Sequence, residues 1–126
     1  MTSKAPTLAI LAAACTAAPL CAQLPKRDYP SCNLTQQRRL RAPTGGAIRD
    51  SRQAHIAMRA NILQADIGNA RKARRLNQPQ AQMLWKEVER IRRDADRFVT
   101  KQGFLSGGET ASYDRALDAV AMKMCR

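Results

Sequence analysis

The stretch LWKEVERIRRDADRF, residues 84–98, decides the fold of this chain. Its apolar side chains recur at alternating spacings of four and three residues, at Leu84, Val88, Ile91, Ala95 and Phe98. This spacing places them on one face of an α-helix, and charged side chains occupy the other faces. A helix of this kind is stable when its apolar face is buried against other helices.

Two further apolar series have the same spacing on either side of this stretch. They are Ile56, Ala60, Leu63, Ile67 and Ala70, and then Tyr113, Leu117, Val120 and Met124. The three series predict helices near residues 50–75, 79–101 and 108–124. Because short connections make neighbouring helices antiparallel, we predict an all-α domain over residues 47–126, built as a three-helix antiparallel hairpin bundle. An aromatic content of 4% also favours helices over a β-sandwich.

Two of the predicted helices begin with a capping box. In Asn77-Gln78-Pro79-Gln80 the Asn side chain can accept a first-turn amide while Gln80 reaches back to the Asn77 amide, and Ser106-Gly107-Gly108-Glu109 offers the same reciprocal bonding. A leucine precedes each box, at Leu76 and Leu105. Asp50 begins a weaker version of the pattern before the first helix.

These helix starts resemble a known motif. Residues 76–80 and 105–109 are similar to the LTxxQ motifs of the Spy/CpxP group, which are small helical envelope-stress proteins and chaperones of the periplasm, and to the repeated G-x-L-T-x-x-E-A helix starts of short exported proteobacterial proteins. The resemblance implies a non-enzymatic protein with protein clients. The group generally has a fourth helix and forms cradle-shaped dimers, so it also implies a homodimer, and a fourth helix could come only from the segment before residue 47.

The N-terminus predicts export. Lys4, the apolar residues 8–18 and the segment from Pro19 to Ala22 have the order of a secretory signal peptide over residues 1–22. We expect cleavage near Ala22 and a periplasmic or secreted protein. Residues 12–15 also resemble a lipoprotein cleavage box, so lipidation at Cys15 is the alternative.

Cleavage near Ala22 would leave two cysteines, Cys32 and Cys125. An even pair in an oxidising compartment predicts a disulfide. Two thiols or a zinc site are the other interpretations, and the absence of CxxC spacing argues against zinc. Between residues 23 and 46, several Pro residues and Gly45-Gly46 predict an irregular arm held by Cys32.

Positive charge is the main indication of function. The formal net charge is +12, which attracts anionic surfaces. We predict three groups of anion-binding or partner-binding residues: Arg38, Arg39 and Arg41 on the arm; Arg71, Lys72, Arg74 and Arg75 after the first helix; and Lys86, Arg90, Arg93 and Arg97 along the second helix, about 200° from its apolar face. Acidic neighbours such as Glu89 offer the alternative that this last stripe is an ordinary ion-paired surface.

The predicted partners are protein clients or an anionic envelope surface such as lipopolysaccharide or a lipid membrane. Nucleic acid is a further anionic candidate for the basic helix faces, but it is not expected in that compartment. Residues 98–109 imitate a calcium loop only in their second half, because Phe98, Thr100 and Gln102 replace oxygen ligands.

Nothing in the sequence indicates a catalytic site. His55 is the single histidine, and we expect it at the surface or half-buried. Met122, Met124 and Cys125 are soft donors that would suit Cu(I), but helical spacing places Met124 in the core. We predict no enzyme and no cofactor.

Overall fold

Four α-helices and one 3₁₀ turn form the part of the chain that the computed structural model describes, residues 29–126. The elements are a 3₁₀ turn Pro30–Cys32, α1 Leu34–Arg38, α2 Ser51–Lys72, α3 Gln78–Gln102 and α4 Gly107–Met124. The all-α prediction is confirmed, and each long helix begins and ends within three residues of its predicted bounds. The expected signal peptide, the alternative lipidation at Cys15 and the first residues of the arm lie outside the described residues.

The predicted helix starts are confirmed. Asn77 Oδ1 accepts from the Gln80 backbone N–H and Gln80 Oε1 accepts from the Asn77 N–H, both at 2.9 Å. Ser106 and Glu109 make the same reciprocal pair at 2.8 and 3.1 Å. At the start of α2 the Asp50 carboxylate accepts from the Gln53 N–H at 2.8 Å. Each cap satisfies amides that the first helical turn leaves without an intrahelical partner.

Side-chain hydrogen bonds show how the three long helices run. Between α2 and α3, residues near the start of one helix bond to residues near the end of the other. Between α2 and α4, a later residue of α2 bonds to a later residue of α4. The bonds are Gln53–Asp96 and Asn61–Arg92, and then His55–Asp114 and Arg59–Asp118. Therefore α3 runs opposite to α2, and α4 runs with α2.

The apolar series form one core, with a change at each of two positions. Phe98 was expected in the core but is 40% exposed, and Val99 packs against the core instead. A strict spacing of 3.5 residues drifts around a straight α-helix by about 20° per heptad, so the last residue of the series leaves the apolar face. Tyr113 is only half-buried, because its hydroxyl donates to Asp94 at 2.9 Å. Burial and this hydrogen bond raise the pKa of Tyr113 to about 12.

The arm is more regular than predicted. Residues 30–38 were expected to be irregular, but they form the 3₁₀ turn and α1, which add a fourth helix to the three expected. Pro30 stands at the beginning of the turn, where a missing N–H does no harm. Asn33 then caps α1 by accepting from the Gln36 N–H at 3.1 Å.

Two of the contacts that attach the arm to the long helices lie at its 3₁₀ turn. Cys32 and Cys125 lie at disulfide-bonding distance, with their Cα atoms 5.8 Å apart. Asp66, a buried residue of α2, accepts from the backbone N–H of Ser31 at 2.9 Å. Because the cysteine pair joins opposite ends of the described chain, it holds the arm against the end of α4.

Candidate functional site

The solvent side of α3 carries an aromatic side chain among cations. Leu84 and Val88 face the core on the opposite side of the helix, and their neighbour Trp85 lies on the solvent side. Trp85 is 45% exposed. It lines an open groove of about 480 Å³ together with Lys86, Glu89, Arg90, Arg93 and Arg97. We call Trp85, Lys86, Arg90, Arg93 and Arg97 the α3 basic face. The structure thus brings all four predicted cations of α3 into one groove.

Part of this positive charge is neutralised within the helix. Arg93 Nε donates to Glu89 at 2.9 Å, and Arg97 donates to Asp94 at 3.0 Å. Lys86 and Arg90 make no hydrogen bond or ion pair with any side chain of residues 29–126. The ion-paired alternative therefore describes Arg93 and Arg97, while the charges of Lys86 and Arg90 are not neutralised by an ion pair within residues 29–126.

A second, more apolar groove lies between α2 and α3. It has a volume of about 300 Å³, and we call it the α2–α3 groove. Its lining residues are Ile67, Gly68, Arg71, Gln78, Ala81, Gln82, Trp85 and Lys86. Trp85 and Lys86 belong to both grooves, so the two are continuous. Arg71 and Lys86, which the sequence placed in separate clusters, meet at this groove.

The other cations after α2 are dispersed around the turn. Lys72 and Arg74 are exposed, and Arg74 has a positive φ of 60°. The guanidinium of Arg75 lies 5.6 Å from the ring centre of Tyr29, in a cation–π contact with the arm. Of the four predicted cations at this position, only Arg71 lines the α2–α3 groove.

The arm arginines line a different groove. Arg38, Arg39 and Arg41 surround an open volume of about 790 Å³ with residues at the starts of α2 and α4, among them Arg52 and His55. This groove shares no lining residue with the α3 basic face in the described part of the chain. Arg38 is also engaged structurally, because its guanidinium donates to Asp118, with Nε at 2.8 Å.

A buried ion cluster joins α1, α2 and α4. Arg59 of α2, with only 3% of its side chain exposed, donates to Asp114 Oδ1 at 2.6 Å and to Asp118 Oδ1 at 2.7 Å. Asp118 accepts in addition from Arg38, and Asp114 from His55 at 2.9 Å. We call these five residues the ion cluster. Such pairs are costly to break because the remaining charge stays buried.

His55 is held by acceptors on both ring nitrogens. Nδ1 lies 2.7 Å from the Leu40 carbonyl oxygen and Nε2 lies 2.9 Å from Asp114 Oδ1. A neutral imidazole can donate from only one nitrogen, so the imidazolium fits this site best. The hydrogen bond to Asp114 raises the pKa of His55, although burial opposes it. For Asp114, burial favours the neutral form, but the bonds from His55 and Arg59 outweigh it and lower its pKa.

This cluster was not predicted from the sequence, where His55 was expected at the surface or half-buried; in the structure His55 is buried. A signal was present. His55 and Arg59 are four residues apart, and so are Asp114 and Asp118, so each pair lies on one face of its helix beside the apolar series. Matching pairs of opposite charge on two helices predict contact between them.

The side chains that were considered as metal ligands from the sequence have other roles in the structure. Glu109, at the calcium-like position, accepts from the Ser106 N–H and from Gln102 as part of a helix cap. Cys125 is paired with Cys32, and Met124 is buried. Over residues 29–126, no group of three or more His, Cys, Asp or Glu side chains is arranged to hold a metal ion.

Comparisons of the chain with protein-family profiles, with curated proteins and with solved structures find no match. Within residues 29–126, none of the helices combines the length and the apolar character needed to cross a bilayer.

Proposed function

We propose that this chain is a non-enzymatic binding protein of the bacterial periplasm, and that it binds an anionic envelope partner through the α3 basic face. The observation that carries the proposal is the exposure of Trp85, the single tryptophan, beside Lys86 and Arg90, two cations with no ion-pair partner among residues 29–126. Residues 1–22 would be its signal peptide, and residues 47–126 its three-helix antiparallel hairpin bundle.

The chemistry of the face supports an anionic partner. Lysine and arginine bind phosphate and carboxylate groups by charge-assisted hydrogen bonds. Exposure of a large aromatic side chain to water is unfavourable, and a partner that covers the ring removes this cost. Tryptophan beside arginine is typical of the residues that dominate binding interfaces. An ion-paired helix surface with no partner would gain nothing from an exposed Trp85.

The proposal of a non-catalytic role has a physical basis in the ion cluster. A general base must exchange a proton with a substrate. Both ring nitrogens of His55 are already engaged, by Leu40 and Asp114, and Asp114 is engaged by Arg59. These groups are arranged to hold helices together.

The proposed location depends on the N-terminal pattern and is consistent with the cysteines. The pairing of Cys32 with Cys125 suits an oxidising compartment. Removal of residues 1–22 would discard the other two cysteines and leave this pair. If lipidation occurs at Cys15 instead, the protein would be anchored to a membrane and the α3 basic face would remain available.

A second candidate function is a chaperone of the Spy/CpxP kind, with unfolded proteins as clients. Exposed apolar side chains favour it: Met83, Phe104 and Met122 are each more than half exposed, in addition to Trp85. Such surfaces bind apolar segments of other proteins. Salt distinguishes the two candidates, because apolar binding depends little on ionic strength whereas anion binding weakens steeply.

The test is binding of polyphosphate, measured over a series of salt concentrations. We expect the logarithm of the affinity to fall linearly with the logarithm of salt. Lys86→Glu/Arg90→Glu should weaken binding at least about tenfold and reduce the salt slope by about two. Arg115→Glu/Arg126→Glu is the matched control, because it makes the same charge change at exposed positions of the C-terminal region.

If both double variants lose the same affinity, the binding depends on net charge and the α3 basic face is not the site. If polyphosphate does not bind but suppression of aggregation of an unfolded protein persists at high salt, the chaperone candidate replaces this proposal.

A further inference from the structure

The α2–α3 groove continues directly from the α3 basic face, and the two have different chemistry. The groove is lined by the apolar residues Ile67, Gly68 and Ala81, and Trp85 lines both the groove and the α3 basic face. The cations at its rim are Arg71 and Lys86. An apolar groove that continues into a positively charged surface matches a ligand with an apolar chain and an anionic head.

We propose that the groove binds one acyl chain of an anionic phospholipid, whose phosphate is held by Lys86, Arg90 and Arg71. This inference rests on the proposed function and names the chemical class of its partner. The groove volume of about 300 Å³ is at the lower end of the range for small-molecule sites, which suits a single chain.

Charge and hydrogen bonding favour a lipid over a peptide. No carboxylate lines the α2–α3 groove in the described residues, and both of its charged residues are cations. A peptide lying on Ile67, Gly68 and Ala81 would bury backbone N–H and carbonyl groups against apolar atoms, and buried backbone groups need partners. An acyl chain needs none.

Gly68 is a lining residue of the α2–α3 groove at which a larger side chain would enter the open space. It lies within α2, where a glycine costs about 1 kcal/mol relative to alanine. A methyl group at this position would meet no atom within 4 Å outside its own stretch of helix, over the described part of the chain. Packing in the described structure therefore does not require glycine, and a bulky side chain at this position would project into the groove.

The experiment compares Gly68→Phe, which fills the α2–α3 groove, with Gly68→Ala, which improves helix propensity and leaves the groove open. Affinity is measured by calorimetry for monomeric decanoyl and dodecanoyl lysophosphatidylglycerol. Each buried methylene contributes about a fourfold factor, so the longer chain should bind about fifteenfold more tightly to the wild type and to Gly68→Ala. In Gly68→Phe the gain should fall below about threefold. Polyphosphate should bind all three proteins equally.

The outcomes separate the two proposals. If polyphosphate binds but the longer chain gives no gain, or gives the same gain in Gly68→Phe, the lipid inference is overturned and the proposed function stands. If polyphosphate and lysolipid both fail to bind, both are overturned. Equal affinity for lysophosphatidylcholine, which has no net charge, would contradict the role of the cations. An acidic peptide that binds in a Gly68-dependent manner, with no lipid binding, would show that the occupant is a protein segment.

Discussion

Replacement of Arg59 by methionine is the most severe single change that we expect in this protein. Met is unbranched and apolar like the aliphatic part of the arginine side chain, but it removes the cation between two carboxylates. Arg59 donates to Asp114 at 2.6 Å and to Asp118 at 2.7 Å, and only 3% of its side chain is exposed. The substitution leaves Asp114 half-buried and Asp118 buried, with one remaining partner each, His55 and Arg38.

The magnitude follows from that arrangement. Removal of one partner of a buried ion pair costs about 3–5 kcal/mol, out of a total stability of about 5–15 kcal/mol for a domain of ordinary stability. Since 1 kcal/mol shifts the melting temperature of a 60–100-residue domain by about 4–8 °C, Arg59→Met should lower it by at least about 12 °C. Circular dichroism during heating and during urea denaturation measures the loss.

Two controls make this result specific to the ion cluster. Arg90→Met has the same chemistry at an exposed position and should change stability by less than about 0.5 kcal/mol. Asp118→Asn combined with Arg59→Met should show a coupling of about 1–3 kcal/mol, because the two side chains are in contact. If Arg59→Met loses less than about 1 kcal/mol, the cluster does not stabilise the helices as described.

Three further predictions concern stability. Cys32→Ser/Cys125→Ser, or reduction of the pair, should lower the free energy of unfolding by about 4–5 kcal/mol, because the pair closes a loop with a sequence separation of 93. Denaturation with and without a reductant measures this loss. An unchanged denaturation midpoint would argue against the bond. The stability that His55 contributes should be complete below its ordinary pKa of 6.5 and be lost as pH rises through its raised pKa. The free energy of unfolding of His55→Gln should therefore differ most from that of the wild type at mildly acidic pH. A difference that grows at alkaline pH would contradict this prediction. Asn77→Ala should cost about 1 kcal/mol through loss of the α3 cap, and an effect below about 0.3 kcal/mol would mean that the box is not needed.

The helices could be predicted because their causes are local. Apolar spacing and caps such as Asn77 with Gln80 depend on a few neighbouring residues, and the structure reproduces both. Phe98 shows the limit of the pattern, since a slow drift of the apolar face becomes important only after two heptads. The short helix Leu34–Arg38 was missed because prolines dominated the interpretation of the arm, although Pro30 stands where helices accept it.

The candidate site was only partly visible in the sequence. The cations of α3 were recognised because they lie on one helix, but the groove needs Ile67 and Gly68 from α2 beside Trp85 from α3. The ion cluster likewise needs partners at separations of 55 to 80 residues along the chain. Long-range juxtapositions of this kind follow from packing, and the periodicity of one helix does not contain them.

The central claim is that an anionic partner covers the α3 basic face, and Trp85 can report this directly because it is the only tryptophan. The measurement is acrylamide quenching of its fluorescence, without and with saturating polyphosphate at low salt. We predict that quenching falls when the polyanion binds and returns when high salt releases it. Binding that leaves the quenching and the emission maximum of Trp85 unchanged would contradict the account.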